Sequence, residues 1–135
     1  MPRLMSVTLT EQAVVERRKT VTRRLGWWKT KKGVRMIQPG DRLTLCRKVM
    51  GRKKGEDVVR LAEVEVVSVR REPLRDISPD EIVREGVDPR HFDVLGDLGQ
   101  PPTWEWVRWF CAEMRVTPDT LVTRIEWRYL DKATP

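Results

Sequence analysis

The segment 58–69 constrains the fold of this chain more than any other part, because it is a long β-branched run whose apolar phase slips by one residue partway along. Ala62, Val64 and Val66 fall on one face and Glu63 and Glu65 on the other, after which Val67 and Val69 become the apolar set. A regular strand cannot change parity in this way and keep both apolar sets on one core, since a one-residue slip turns every side chain to the opposite face. A bulge or sharp coil inside the strand resolves the conflict, and small closed barrels use such bends to turn corners. A curled sheet is therefore the first expectation.

The flanking segments supply partners for that strand. Residues 4–9 alternate loosely as a strand, and Thr10 before Glu11 and Gln12 predicts an N-cap leading into a short helix through Arg17. Pro39-Gly40-Asp41 forms a turn, with Pro fixing the first corner and Gly free to take positive φ. It opens a strand over 42–49, with Leu43, Leu45 and Val49 on one face and Arg42, Thr44, Cys46 and Lys48 on the other. Residues 51–57 predict a flexible basic hairpin tip.

Ser78-Pro79-Asp80-Glu81 reads as a helix start, with Ser as N-cap, Pro at the first helical position and Glu completing a capping box. Gly86 supplies the left-handed stop, which places Glu85 at the helix end. A mobile loop is expected over 87–102, then a helix over 104–114 with Trp104, Val107, Cys111 and Met114 in the core and Glu105, Arg108 and Arg115 as its polar stripe. The last strand, 120–130, puts Leu121, Ile125, Trp127 and Tyr129 on one face and Arg124, Glu126 and Arg128 on the other. The hairpins and the bend favour an α+β domain built on a small, mostly antiparallel curled sheet with short flanking helices.

A length of 135 residues suits one domain, 1–135, and six tryptophans within a 39% apolar composition provide the buried area for it to fold alone and as a monomer. Cys46 and Cys111 are far apart in sequence and His91 is the single histidine, so no disulfide framework is expected, no metal site and no cofactor. Free thiols suit a reducing, cytoplasmic setting, and no apolar run approaches the ~20 residues a membrane span requires. The net charge of +7 points to a polyanionic partner or to a well-solvated surface.

That charge is concentrated in Arg17-Arg18-Lys19-Thr20-Val21-Thr22-Arg23-Arg24 and in two loops, one carrying Trp27, Trp28, Lys29, Lys31 and Lys32, the other Arg52, Lys53 and Lys54. Loop lysines of this kind contact phosphates without sequence choice, and an exposed Trp27 or Trp28 would stack an unpaired base. The same residues have plainer accounts. Basic side chains suit a helix C-terminus, Thr22 suits a strand, the tryptophans suit a core, and Lys19 with Glu85 makes a salt bridge.

A leading strand and short helix, the basic octet, Pro39-Gly40-Asp41 opening a strand, and Glu85-Gly86 after a capped helix together resemble the ASCH domain family of the PUA-like superfamily, from about Leu4 to Tyr129. The family pattern GxKxxExR is matched at Lys19 and Arg24, with Arg17 in the place of Gly and Thr22 in the place of Glu. At Thr22 the chain is similar instead to the bacterial branch of the family that removes acetyl from N4-acetylcytidine, and that resemblance implies a catalytic set of Lys19, Thr22 and Glu85.

Three functions compete. The first is a module binding RNA or a nucleoside-like ligand in a basic cleft around 17–24. The second is a small metal-independent amidohydrolase, with Thr22 as nucleophile and a Lys19 whose neutral form is favoured by the surrounding arginines. The third is a phage-type adaptor or inhibitor that binds a host protein.

Overall fold

The computed structural model describes residues 3–49, 55–87 and 103–130. Its spine is the long strand β4 (Arg60–Pro73), which pairs antiparallel with β3 (Arg42–Cys46) on one side and β5 (Leu121–Tyr129) on the other. β1 (Arg3–Ser6) adds to β3 in parallel and β2 (Val21–Arg24) to β5 antiparallel, giving five strands in the order β1-β3-β4-β5-β2. The phase slip in β4 is a bulge: Val66 faces Trp127 and Ser68 faces Glu126, so Val67 is the extra residue. Val69 packs against the core as expected, whereas Val67 is 46% exposed, because the bulged residue is turned out of the alternation.

The bend curls the sheet into a half-barrel. The two outermost strands are bridged by a side chain, Arg24 Nη2 of β2 donating to the Ser6 carbonyl of β1 at 2.6 Å. Both faces of the curl are covered. Met5, Leu43, Leu45, Val64, Ile125 and Trp127 form one cluster with Val14 of α1 (Glu11–Val15), and Val122 joins a second beneath α2 (Pro79–Arg84) and α3 (Thr103–Met114). Because β5 contributes to both, the stretch 122–125 has no solvent face and Arg124 is buried as well as Ile125, whereas Arg128 nearer the strand end is exposed. Thr44 and Cys46, expected on the face away from Leu43 and Leu45, are also buried: Thr44 donates to Glu63 at 2.7 Å, and a register shift against β4 falls between Leu45 and Cys46.

The caps are met in part. Ser78 Oγ accepts from the Glu81 N–H at 3.3 Å, Pro79 opens the helix, and Gly86 follows it at φ 99°. The return half of the capping box does not form, since the Glu81 carboxylate is taken by Arg23 and Arg124. Thr10 stands at the start of α1, but its side chain makes no capping bond. Its N–H instead closes a 3-10 turn onto the Val7 carbonyl at 2.9 Å. α1 ends at Val15 rather than Arg17, which takes φ 60°.

α3 is rotated from its expected setting. Trp106, Val107 and Phe110 are buried and Cys111 is half-buried, while Trp104 is 58% exposed and Met114 also faces solvent. The apolar arc of this helix is wider than the surface beneath it, so its flanks stay in water. Leu121, expected in the core, is likewise exposed at the start of β5. Among the described residues no helix is long and apolar enough to cross a membrane. Arg52, Lys53, Lys54, His91 and most of the expected loop over 87–102 lie outside the described residues.

Candidate functional site

The peptide at Lys19 is held from three sides. Its N–H donates to Ala13 of α1 at 3.2 Å, its carbonyl accepts from Trp127 Nε1 at 3.0 Å and Tyr129 Oη at 2.5 Å, and the next N–H donates to Arg84 of α2 at 2.8 Å. This clamp turns the Lys19 side chain inward, where it is 3% exposed. Its Nζ donates to the Glu85 carbonyl at 2.7 Å and to Glu85 Oε2 at 3.1 Å. Burial holds the Lys19 amine below its ordinary pKa, a shift that Glu85 opposes and that the charges of Arg24 and Arg23 reinforce.

Glu85 reaches Lys19 because the chain can pass close to α1 at Gly86. A Cβ there would stand 2.7 Å from Ala13 Cβ and 3.2 Å from Lys19 Cβ, and the positive φ independently disfavours a side chain. Gly86→Ala is expected to cost about 2–4 kcal/mol, combining left-handed strain with overpacking. Urea unfolding measures this, and a cost below 1 kcal/mol would show that α2 does not need this close approach.

Glu85 is tied on its other side to an ionic network. Arg23 Nη1 approaches Glu85 Oε1 at 3.4 Å, while Arg23 Nη2 donates to Glu72 at 3.0 Å and to Glu81 at 2.9 Å. Arg124 donates to both oxygens of Glu81, and Arg84 joins Glu81 to Glu126. Arg23 and Arg124 stand directly opposite across β2 and β5, as do Arg124 and Arg70 across β5 and β4. A row of arginines over three strands is repulsive unless neutralised, and Glu81 of α2 contacts all of them. Burial alone would raise the Glu81 pKa, but hydrogen bonds from Arg124 and Arg23 outweigh it and bring the carboxyl down to about 2.

Lys19, Thr22, Arg23, Arg24 and Glu85 line one cavity of about 750 Å³, bounded by the turn after β1, the end of α2 and one face of α3. Thr22 Oγ1 accepts from Arg24 Nε at 3.2 Å, leaving the hydroxyl proton free to be donated. The same cavity is lined by Trp106, Trp109 and Phe110 of α3. Of the other residues picked from sequence, Arg18 lines the cavity and is paired with Glu16 at 2.7 Å, and Arg17 lies over the Tyr129 ring at 5.5 Å. Trp27 and Trp28 are half-buried, with Arg35 stacked 3.7 Å over Trp28, and Lys29, Lys31 and Lys32 are exposed on the small loop closed by Lys29 and Arg35. That loop is not part of the cavity lining.

Sequence reasoning missed Glu72, Glu81, Arg124 and Trp109 as site residues. Glu81 and Arg124 had a signal: Glu81 and Glu85 lie four apart on one helix face, in a chain whose strands are dense in arginine.

No family model matches this chain, and no curated protein does. Among solved structures it is similar to a protein of Enterococcus faecalis assigned to the family DUF984, at 18% identity and a TM-score of 0.64 over 100% of this chain and 84% of that one. It is also similar to an ASCH domain from Lactobacillus crispatus, at 16% identity and a TM-score of 0.51 over 90% of this chain and 70% of that one. At these identities the likeness is one of fold. The curled mixed sheet with short helices is an ASCH-like α+β fold, as the sequence resemblance implied.

Proposed function

We propose that this chain binds a nucleoside-like ligand, free or as an unpaired residue of RNA, in the cavity between the mouth of the curled sheet, α2 and α3. The observation that carries this is the convergence of Lys19, Thr22, Arg24 and Glu85 on one cavity of about 750 Å³, a size usual for small-molecule sites. These side chains offer donors and an acceptor in a setting largely removed from water, where they fix a ligand's polar edge. Lys29, Lys31 and Lys32 stand exposed on a separate loop and would meet phosphates when the ligand is part of a longer strand.

Calorimetric titration with cytidine and with a short single-stranded RNA tests both forms. Lys19→Ala is expected to weaken cytidine binding at least about tenfold. Lys31→Ala combined with Lys32→Ala should leave cytidine binding unchanged and reduce the salt slope for RNA by about 2. If neither ligand binds at low salt, the proposal is wrong.

A second reading, hydrolysis of the acetyl amide of N4-acetylcytidine, is favoured by the placement of the Lys19 amine. It is buried, held by Glu85 and kept below its ordinary pKa, with the Thr22 hydroxyl on the same cavity. A lysine in that state can serve as a base and a threonine on the same cavity as a nucleophile. Turnover of N4-acetylcytidine by the purified protein decides between a hydrolase and a binding module.

A further inference from the structure

We propose that Trp109 is the stacking platform of this cavity, and that the ligand it selects is a planar heterocycle with a hydrogen-bonding edge. The inference rests on the nucleoside-binding role proposed for the cavity and assigns the residue that gives it ring selectivity.

The cavity has two unlike walls. Lys19, Thr22, Arg24 and Glu85 make one polar, and α3 supplies the other, mainly through Trp106, Trp109 and Phe110 with Glu105 and Met114 at their sides. Positions 106, 109 and 110 share a helix face by their spacing of three and four. Trp106 and Phe110 belong to this wall and are themselves buried, with ring centroids 5.3 Å apart, and Trp109 leans on Trp106 at 6.1 Å with the ring planes 51° apart. Trp109 thus has a backing that fixes its ring, yet it is 43% exposed. Apolar area left open at a cavity mouth is area a ligand can cover.

The two walls together restrict what can fill the space. A sugar phosphate would leave the indole uncovered, and an aliphatic chain would strip water from Lys19, Arg24 and Glu85 while returning no hydrogen bond. A flat ring with amide-like donors and acceptors on one edge meets both walls at once, its face on Trp109 and its edge on the polar side. Trp104 supplies an internal comparison, being on the same helix and more exposed, but off the cavity lining.

Calorimetric titration of the intact protein with cytidine, ribose 5-phosphate and N6-acetyllysine, an aliphatic amide, tests the assignment. Cytidine is expected to bind at least about tenfold more tightly than either of the others, the range of one base stacked on an aromatic side chain. Trp109→Leu, which keeps apolar bulk but removes the π-face, should weaken cytidine about tenfold or more, Trp109→Phe should restore most of the affinity, and Trp104→Ala should change nothing. If Trp109→Leu binds cytidine as tightly as wild type, or N6-acetyllysine matches cytidine, Trp109 is no stacking platform, while the cavity remains a binding site. If wild type binds none of the three, both this assignment and the nucleoside-binding role fail.

Discussion

Glu81→Gln is expected to destabilise the fold by about 2–3 kcal/mol, somewhat less than removing one partner of a fully buried ion pair, because Glu81 is half-buried while Arg23 and Arg124 beneath it are buried. The side chain keeps its size but no longer carries the charge that offsets Arg23, Arg70 and Arg124, which stand side by side across β2, β4 and β5. Urea unfolding followed by tryptophan fluorescence measures the loss, and a cost under 1 kcal/mol would show that the network is not a keystone. The pH dependence has a definite sign. The Glu81 carboxyl titrates near about 2 in the folded chain against an ordinary 4.5, so its contribution is present above about 4.5 and is lost as pH falls towards about 2. Wild type should therefore lose stability over that acid range, and Glu81→Gln should lose less. Equal acid sensitivity in the two proteins would assign the effect to other carboxylates, of which Glu126, also held low against burial by hydrogen bonds from Arg84 and Ser68, is the first to consider.

The elements legible in the sequence were those whose signals are local. The parity change at Val66 and Val67 required a bulge, and Ser78, Pro79 and Gly86 bracketed a helix that put Glu85 at its end. Lys19 and Glu85, 66 positions apart, could be paired only through the family resemblance, and they meet at hydrogen-bond distance. What could not be read was covering from above. An arginine alternating with Ile125 on a strand reads as solvent-facing, and only the docking of α2 reveals that Arg124 lies under a carboxylate. The setting of α3 was lost for a related reason: with aromatic residues round most of its circumference, periodicity does not choose which of them faces a core and which a cavity. Trp104 and Trp109 differ little in local pattern, but one borders the site and the other does not.

The same network that supports the fold aims the site. Glu81 and Glu85 lie on successive turns of α2 and its C-cap, and Arg23 touches both, so the position of the Glu85 carboxylate against Lys19 is coupled to the arginine row beneath the helix. Gly86 fixes the other end of this arrangement by letting α2 close onto Ala13 and Lys19. A change at either place should disturb ligand binding without touching the ligand, as expected where a site is held by its supporting shell.

The largest effect is expected in catalysis, if the hydrolase reading holds. Thr22 Oγ would attack the acetyl carbonyl of N4-acetylcytidine while its proton passes to Lys19 Nζ. The resulting tetrahedral oxyanion collapses with the proton returned to the departing amine, and water then releases acetate from the threonine ester. Lys19 donates two N–H bonds to Glu85, so its neutral form keeps a lone pair for that proton, and Arg24 beside Thr22 is placed to stabilise an oxyanion. Lys19→Ala and Thr22→Ala should each reduce kcat/KM by a factor on the order of 10³ or more, with the double variant no worse than either, because base and nucleophile act as one unit. Thr22→Ser should keep part of the activity. Since burial holds the Lys19 amine below its ordinary 10.5, and the neutral amine is the base, activity should rise with pH through a midpoint lower than that value. Binding of cytidine by wild type without release of acetate from N4-acetylcytidine would end the hydrolase reading and leave the binding module.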